Sequence, residues 1–153
     1  MMSKKYAIGI DLGGTNLRVA LVSEDGEVVR KVKKASPEEV FNSLSETIEE
    51  MIQGDIAGIG MGVAGLIDRE NGRVFSSPNY HAVEGVDLVE GIQRKFNVPV
   101  YLENDANCAA LGEKARGAGK DFENFVLLTL GTGIGGGIIY KGELLDAAAE
   151  IGH

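Results

Sequence analysis

The chain has one cysteine, Cys108, and three prolines among 153 residues. A single thiol excludes an internal disulfide framework and agrees with a reducing compartment. Its neighbours Asn107, Ala109, Ala110 and Leu111 read as helix, so a packed thiol is expected rather than a nucleophile. Long apolar runs are also lacking. None approaches the ~20 residues of a membrane span, and the first residues carry no extended signal-peptide core. The expectation is a cytoplasmic protein with no membrane partner. Positive charge is scarce as well, with 15 basic against 23 acidic residues and a net charge of -8. Binding a phosphate backbone depends on concentrated positive charge, so no nucleic-acid partner is expected. Lys31, Lys33 and Lys34 read as a solvated strand edge.

What is present is a globular composition, 44% apolar and 25% charged, with 22 glycines and no low-complexity tract. Residues 6–10 form a short apolar run ending at Asp11. Residues 17–22 and 28–32 follow, separated by turn residues, which predicts three antiparallel strands. Ser36, Pro37, Glu38 and Glu39 then resemble a helix start, with Ser36 as N-cap and Pro37 at the first helical position. Val40, Phe41, Leu44, Ile48, Met51 and Ile52 recur at helical spacing, and Gly54 supplies a stop.

Residues 56–63 read as a buried strand, and Glu70, Asn71 and Gly72 as the turn of a hairpin. A helix over 88–96, a strand over 98–103 and a helix over 106–115 come next. Residues 117–120 form a flexible connection, and 125–130 and 135–140 pair as a glycine-hinged hairpin. The expected organisation is a small α/β domain over 1–118 and the beginning of a second domain over 119–153, part of a larger parent protein.

Two segments suit contact with phosphate. Gly13, Gly14 and Thr15 follow the first strand, and Gly131, Thr132 and Gly133 sit in the last hairpin. Glycine allows positive φ and close backbone approach, and successive amides can surround anionic oxygens. Alone, either segment reads equally as an ordinary tight turn. No Gly-Lys-Ser/Thr follows, so neither is a P-loop. Two phosphate turns with Asp11 before the first fit Mg-ATP, where Asp11 would orient a magnesium-bound water or face the transferring phosphoryl group. Asp105, at a strand end, is the candidate general base for transfer to an alcohol, with helix capping as its alternative role. Asn79 and Asn104 can donate to and accept from sugar hydroxyls, or form Asx turns. Glu150 and His153 add an acceptor and an imidazole near the end.

Taken in order, Asp11-Leu12-Gly13-Gly14-Thr15-Asn16, Gly62-Val63-Ala64-Gly65, Ser77-Pro78-Asn79, Glu103-Asn104-Asp105-Ala106-Asn107, residues 130–137 and Glu150-Ile151-Gly152-His153 resemble the ROK family of sugar kinases, most closely its glucokinases. The resemblance implies an α/β chain with the actin-like ATPase, or ribonuclease H-like, fold: a mixed sheet with flanking helices and an incomplete second domain. It implies ATP-dependent phosphorylation of glucose or a related hexose at the 6-hydroxyl, with Asp105 as the base. Gly65, Asn79, Asn104, Asp105, Glu150 and His153 correspond to sugar-binding positions. Asp11, Gly13, Gly14, Thr15, Asn16, Gly131, Thr132 and Gly133 correspond to the nucleotide-phosphate and magnesium surface.

Family kinases continue for roughly as many residues again, commonly dimerise, and place a cysteine cluster beyond the final motif. The histidine matching His153 then helps hold structural zinc in a full-length protein. Relatives also carry a few more glycine-rich residues between the equivalents of Gly142 and Glu150. Family members that respond to sugar as transcriptional regulators carry an N-terminal DNA-binding domain, whereas Tyr6 already begins the first strand here. The expected partners are therefore a hexose and a second copy of the chain, and the isolated 153 residues are expected to be inactive.

Overall fold

A computed structural model describes residues 5–131 and 133–145. The chain divides into two compact units, one ending at Glu103 and one beginning at Asn104.

The first unit is built on β1 (Lys5–Leu12), β2 (Asn16–Ser23), β3 (Val28–Ala35), β4 (Asp55–Val63) and β7 (Val100–Asn104), in the order β3-β2-β1-β4-β7. β1 to β3 run antiparallel, and β4 lies parallel to β1. Alternation makes one face of this sheet apolar. Ile8 pairs with Leu21 and Ile59, Ile10 with Val19 and Met61, and Leu12 with Leu17 and Val63, and all nine are buried. Helix α1 (Val40–Met51) contributes Val40, Leu44, Ile48 and Met51 to the same core, and helix α2 (Leu88–Phe96) contributes Leu88 and Ile92. A fully buried side chain of this size stabilises by ~1.5–3 kcal/mol. α2 ends at Asn97, whose φ of 54° closes the helix in the left-handed region.

The strand triplet and both helices follow the sequence pattern, but the start of α1 does not. Glu39 is its N-cap, without a side-chain hydrogen bond. Ser36 is drawn away by tertiary partners: its hydroxyl donates to the Gly13 carbonyl (2.5 Å) and its amide to that of Thr15 (3.1 Å). The lysine edge is as expected, since β3 is an edge strand and Lys34 reaches Glu50 (3.0 Å) on α1. A small hairpin, β5 (Leu66–Asp68) with β6 (Arg73–Ser76), turns through Gly72 at φ 63°.

The second unit contains α3 (Asp105–Arg116) and the antiparallel strands β8 (Phe125–Leu130), β9 (Ile134–Tyr140) and β10 (Glu143–Leu144). Ala106 and Ala110 of α3 pack on β9 where glycines permit close approach. A methyl at Gly137 would overlap the Ala110 side chain (2.6 Å), and one at Gly135 would press on Ala106 (3.2 Å). The connection after α3 is tied rather than loose. The Ala118 amide donates to Glu113 (2.7 Å), and Lys114 donates to the Phe122 carbonyl (2.9 Å). On the other face of the hairpin Val126, Leu128, Leu130 and Ile134 are 62%, 66%, 81% and 81% exposed.

The whole is a mixed α/β fold with a central sheet and flanking helices, the arrangement expected of the actin-like ATPase class. Among the described residues no helix is long and apolar enough to cross a membrane.

Candidate functional site

The first glycine turn joins β1 to β2. The Gly13 amide donates to the Asn16 carbonyl (3.0 Å), and Ser36 ties Gly13 and Thr15 from outside, as above. Gly14 and Thr15 are exposed. Neither Gly13 nor Gly14 has positive φ, so conformational freedom is not why glycine stands here. At Gly14 the reason is space: a β-carbon would overlap the Asn79 carbonyl and lie 3.1 Å from its Cβ. The turn and Asn79, separated by 65 residues in sequence, are thus brought together within the first unit. Asp11 lies opposite Arg18 in the β1–β2 ladder and is ion-paired with it at 2.6 Å, both about half exposed.

Asn79 sits exposed on a loop between β6 and a short 3-10 turn, His81–Val83. Ser77, fully buried, fixes the loop at its base. Its hydroxyl donates to the Ala64 carbonyl (2.6 Å), and its amide donates to Glu84 Oε1 (2.7 Å). His81 Nδ1 is 2.9 Å from the same oxygen. The Ser77 amide, and after it His81, hold the Glu84 carboxyl below its usual pKa. Tyr80 donates its phenol to the Pro37 carbonyl, and burial raises that phenol's pKa. Gly65 lies beneath the loop. Its φ is 153°, and a β-carbon there would overlap the Ser76 carbonyl. Glycine at 65 is therefore required by the protein's own backbone, whatever else it accommodates.

In the second unit the start of α3 separates two neighbouring side chains. Asn104 is the N-cap: its Oδ1 accepts from the Ala106 (2.9 Å) and Asn107 (3.3 Å) amides. Asp105 occupies the first helical position, exposed, with Oδ1 accepting from the Ala106 amide (2.9 Å). The capping role that sequence left open for Asp105 thus falls mainly to Asn104. At the β8–β9 turn the Gly131 amide donates to the Gly133 carbonyl (3.0 Å), and β-carbons at Gly131 or Gly133 would meet nothing within 4 Å. Thr132, Glu150 and His153 lie outside the described residues.

Two contributors were given no role in the sequence. Glu84 carries no motif, and Glu103 of β7, which stands in a family-like segment, takes a forked pair of bonds from Arg69 Nε and Nη2 (3.0 and 2.8 Å). Both roles depend on side chains meeting across loops, which neither periodicity nor spacing encodes. Among the described residues no group of three or more His, Cys, Asp or Glu is placed to hold a metal ion.

A model of the ROK family matches residues 7–153. The chain is similar to a glucokinase of Thermotoga maritima, 45% identical over 162 residues that cover 99% of this chain and 51% of the relative. It is also similar to a xylose repressor of Bacillus subtilis, 36% identical over 162 residues, covering 97% of this chain and 42% of that one. Among solved structures, the ROK hexokinase from Thermus thermophilus superposes with a TM-score of 0.82 at 31% identity, covering 99% of this chain and 53% of that chain. The chain spans about half the length of the curated relatives it matches.

The repressor match corrects the expectation that nucleic acid is not a partner. A net charge of -8 describes these 153 residues alone, and the repressor extends well beyond the part they cover. Acidity of a shared portion therefore does not decide the partner class of a protein built with it. With a family model matching nearly its whole length, the chain belongs to the ROK family.

Proposed function

We propose that the protein carrying this chain is a sugar kinase, transferring the γ-phosphoryl group of ATP to a hydroxyl of a hexose or an N-acetylated amino sugar. Glucose, through its 6-hydroxyl, is the first substrate to test. The observation that carries the reading is the division of labour at α3, where Asn104 accepts from two helix amides and Asp105, sharing only the Ala106 amide through Oδ1, presents an exposed carboxylate. In this reading Asp105 accepts the hydroxyl proton as the sugar oxygen bonds to the γ-phosphorus. The bond from phosphorus to the bridging oxygen breaks, and ADP leaves. Asn79 and Asn104 contact sugar hydroxyls, and Gly65, Glu150 and His153 complete the set by resemblance to the family.

By resemblance to the family, the turns at Gly13, Gly14, Thr15 and Asn16 and at Gly131, Thr132 and Gly133 face phosphate oxygens, although the Gly13 and Gly131 amides already donate to carbonyls of their own turns. The open space at Gly131 and Gly133 fits such an approach. Magnesium would neutralise charge on the transferring phosphates. Asp11, half exposed and paired with Arg18, would hold it through a bound water. Residues 1–118 act as a small domain in this scheme, and 119–153 open a larger one.

In the intact protein, Asp105→Asn should lower sugar-dependent ADP release by roughly 10²–10⁴-fold while sugar binding persists. Undiminished turnover would overturn the assignment. The repressor match favours a second reading, a sugar-responsive regulator. Binding of a sugar with no turnover across a panel of glucose, mannose, N-acetylglucosamine and xylose would select it.

A further inference from the structure

The loop carrying Asn79 is closed at its base by a side chain rather than by the sheet. β6 ends at Ser76, and the next amide, that of fully buried Ser77, has a carboxylate oxygen seven residues later as its acceptor at 2.7 Å. Glu84 is itself held on β6: it forms a parallel bridge with Val74, and the following Gly85 amide donates to the Val74 carbonyl (3.0 Å). The strand that launches the loop thus also fixes the residue that closes it. Within the closure the Tyr80 amide donates to the Ser77 carbonyl (3.0 Å), so the chain at Pro78 and Asn79 is a tight turn with Ser77 at its foot. Exposed Asn79 sits at the tip, its own carbonyl against Gly14.

From this geometry we infer that Glu84 is a positioning residue for sugar recognition, setting the height and direction of Asn79 through the Ser77 amide. The inference rests on the reading of Asn79 as a sugar contact and adds a residue to it. A hydrogen bond from a buried amide to a charged acceptor is stronger than one to a neutral group, and losing the acceptor leaves the amide unsatisfied. The hydroxyl of Ser77 still anchors to Ala64, and the Tyr80 phenol to Pro37, so the loop stays attached when Glu84 is removed. What it loses is the bond that defines its pitch. The first glycine turn keeps its own ties to Ser36. Sugar and nucleotide affinities should therefore respond differently.

The test is titration calorimetry on the intact protein with glucose, mannose, N-acetylglucosamine and xylose, and separately with a non-hydrolysable Mg-ATP analogue. Glu84→Ala should weaken binding of the preferred sugar about tenfold and leave the analogue within about twofold. Glu84→Gln keeps an acceptor oxygen for the Ser77 amide and should restore sugar affinity to within about threefold of the parent. Unchanged sugar affinity in Glu84→Ala overturns the role, as does equal loss of sugar and nucleotide affinity. Failure of Glu84→Gln to rescue overturns it too. If Glu84→Ala does not fold, Glu84→Asp, which withdraws the oxygen by one carbon, takes its place with the same two outcomes. A parent protein that binds none of the four sugars overturns the sugar-site reading itself, an outcome distinct from a parent that binds while Glu84→Ala matches it.

Discussion

Gly13 and Gly14 in the first half, and Gly131 and Gly133 in the second, share a composition but not a surrounding. The first pair is tied by Ser36 and pressed by Asn79, and its strand stands on a sheet whose apolar face is covered by α1 and α2. The second pair is open on every side that a β-carbon would probe, and the outer face of its hairpin is bare. Similar glycine turns thus serve two physical purposes. One glycine admits a neighbouring loop, and the others leave backbone exposed. Reading both as one kind of phosphate cradle, as the sequence invites, hides the fact that only the first is already built into a packed scaffold.

The contrast can be broken most sharply at the two apolar faces. Leu44→Ala, in the covered core, should cost ~2–5 kcal/mol in chemical denaturation, whereas Leu130→Ser on the bare hairpin face should stay within ~0.5 kcal/mol. Equal costs would mean that the hairpin face is packed in the intact protein. Next in size is Gly14→Ala, which forces the Asn79 loop aside and should destabilise by ~1–3 kcal/mol with loss of sugar affinity. Gly131→Ala, with nothing to collide with, should be silent in the same chemical denaturation. Asn104→Ala removes the α3 cap and should cost ~1 kcal/mol. Because Asp105 follows it directly, a fall in kcat at saturating sugar, beyond any rise in KM from the lost Asn104 contact, would show that the cap also aims the carboxylate.

The smallest effect is a pH slope. The folded Glu84 carboxyl has a lowered pKa, so its contribution is present above the ordinary value of 4.5 and fades as pH falls through the folded value. Melting temperature measured downward from pH 5 should therefore decline less steeply in Glu84→Gln than in the parent. Identical slopes would remove Glu84 from the acid response.

Much of this was legible because the relevant forces are local. The period of Leu44, Ile48 and Met51 marks α1, the run 88–96 coincides with α2, and Asn71-Gly72 marks its hairpin turn. Where the reading failed, a distant partner had outbid a neighbour. Ser36 has the chemistry of an N-cap, yet its hydroxyl is engaged 23 residues away at Gly13. At Asn104 and Asp105 both side chains are able to cap, and only the fold decides which one does. Glu84 looked like any surface acid because its partner, a main-chain amide, is present at almost every position and leaves no trace in the alphabet.

Strand β9 offers a last consequence. Gly135 and Gly137 hold α3 against the hairpin by what they omit, and α3 opens with Asp105. The stand-off between that carboxylate and its supporting sheet is a gauge cut by two absent methyl groups. A lineage that alters reach or alignment at this point need not touch the acid at all; it has only to add a carbon on the strand beneath and let the helix ride up on it.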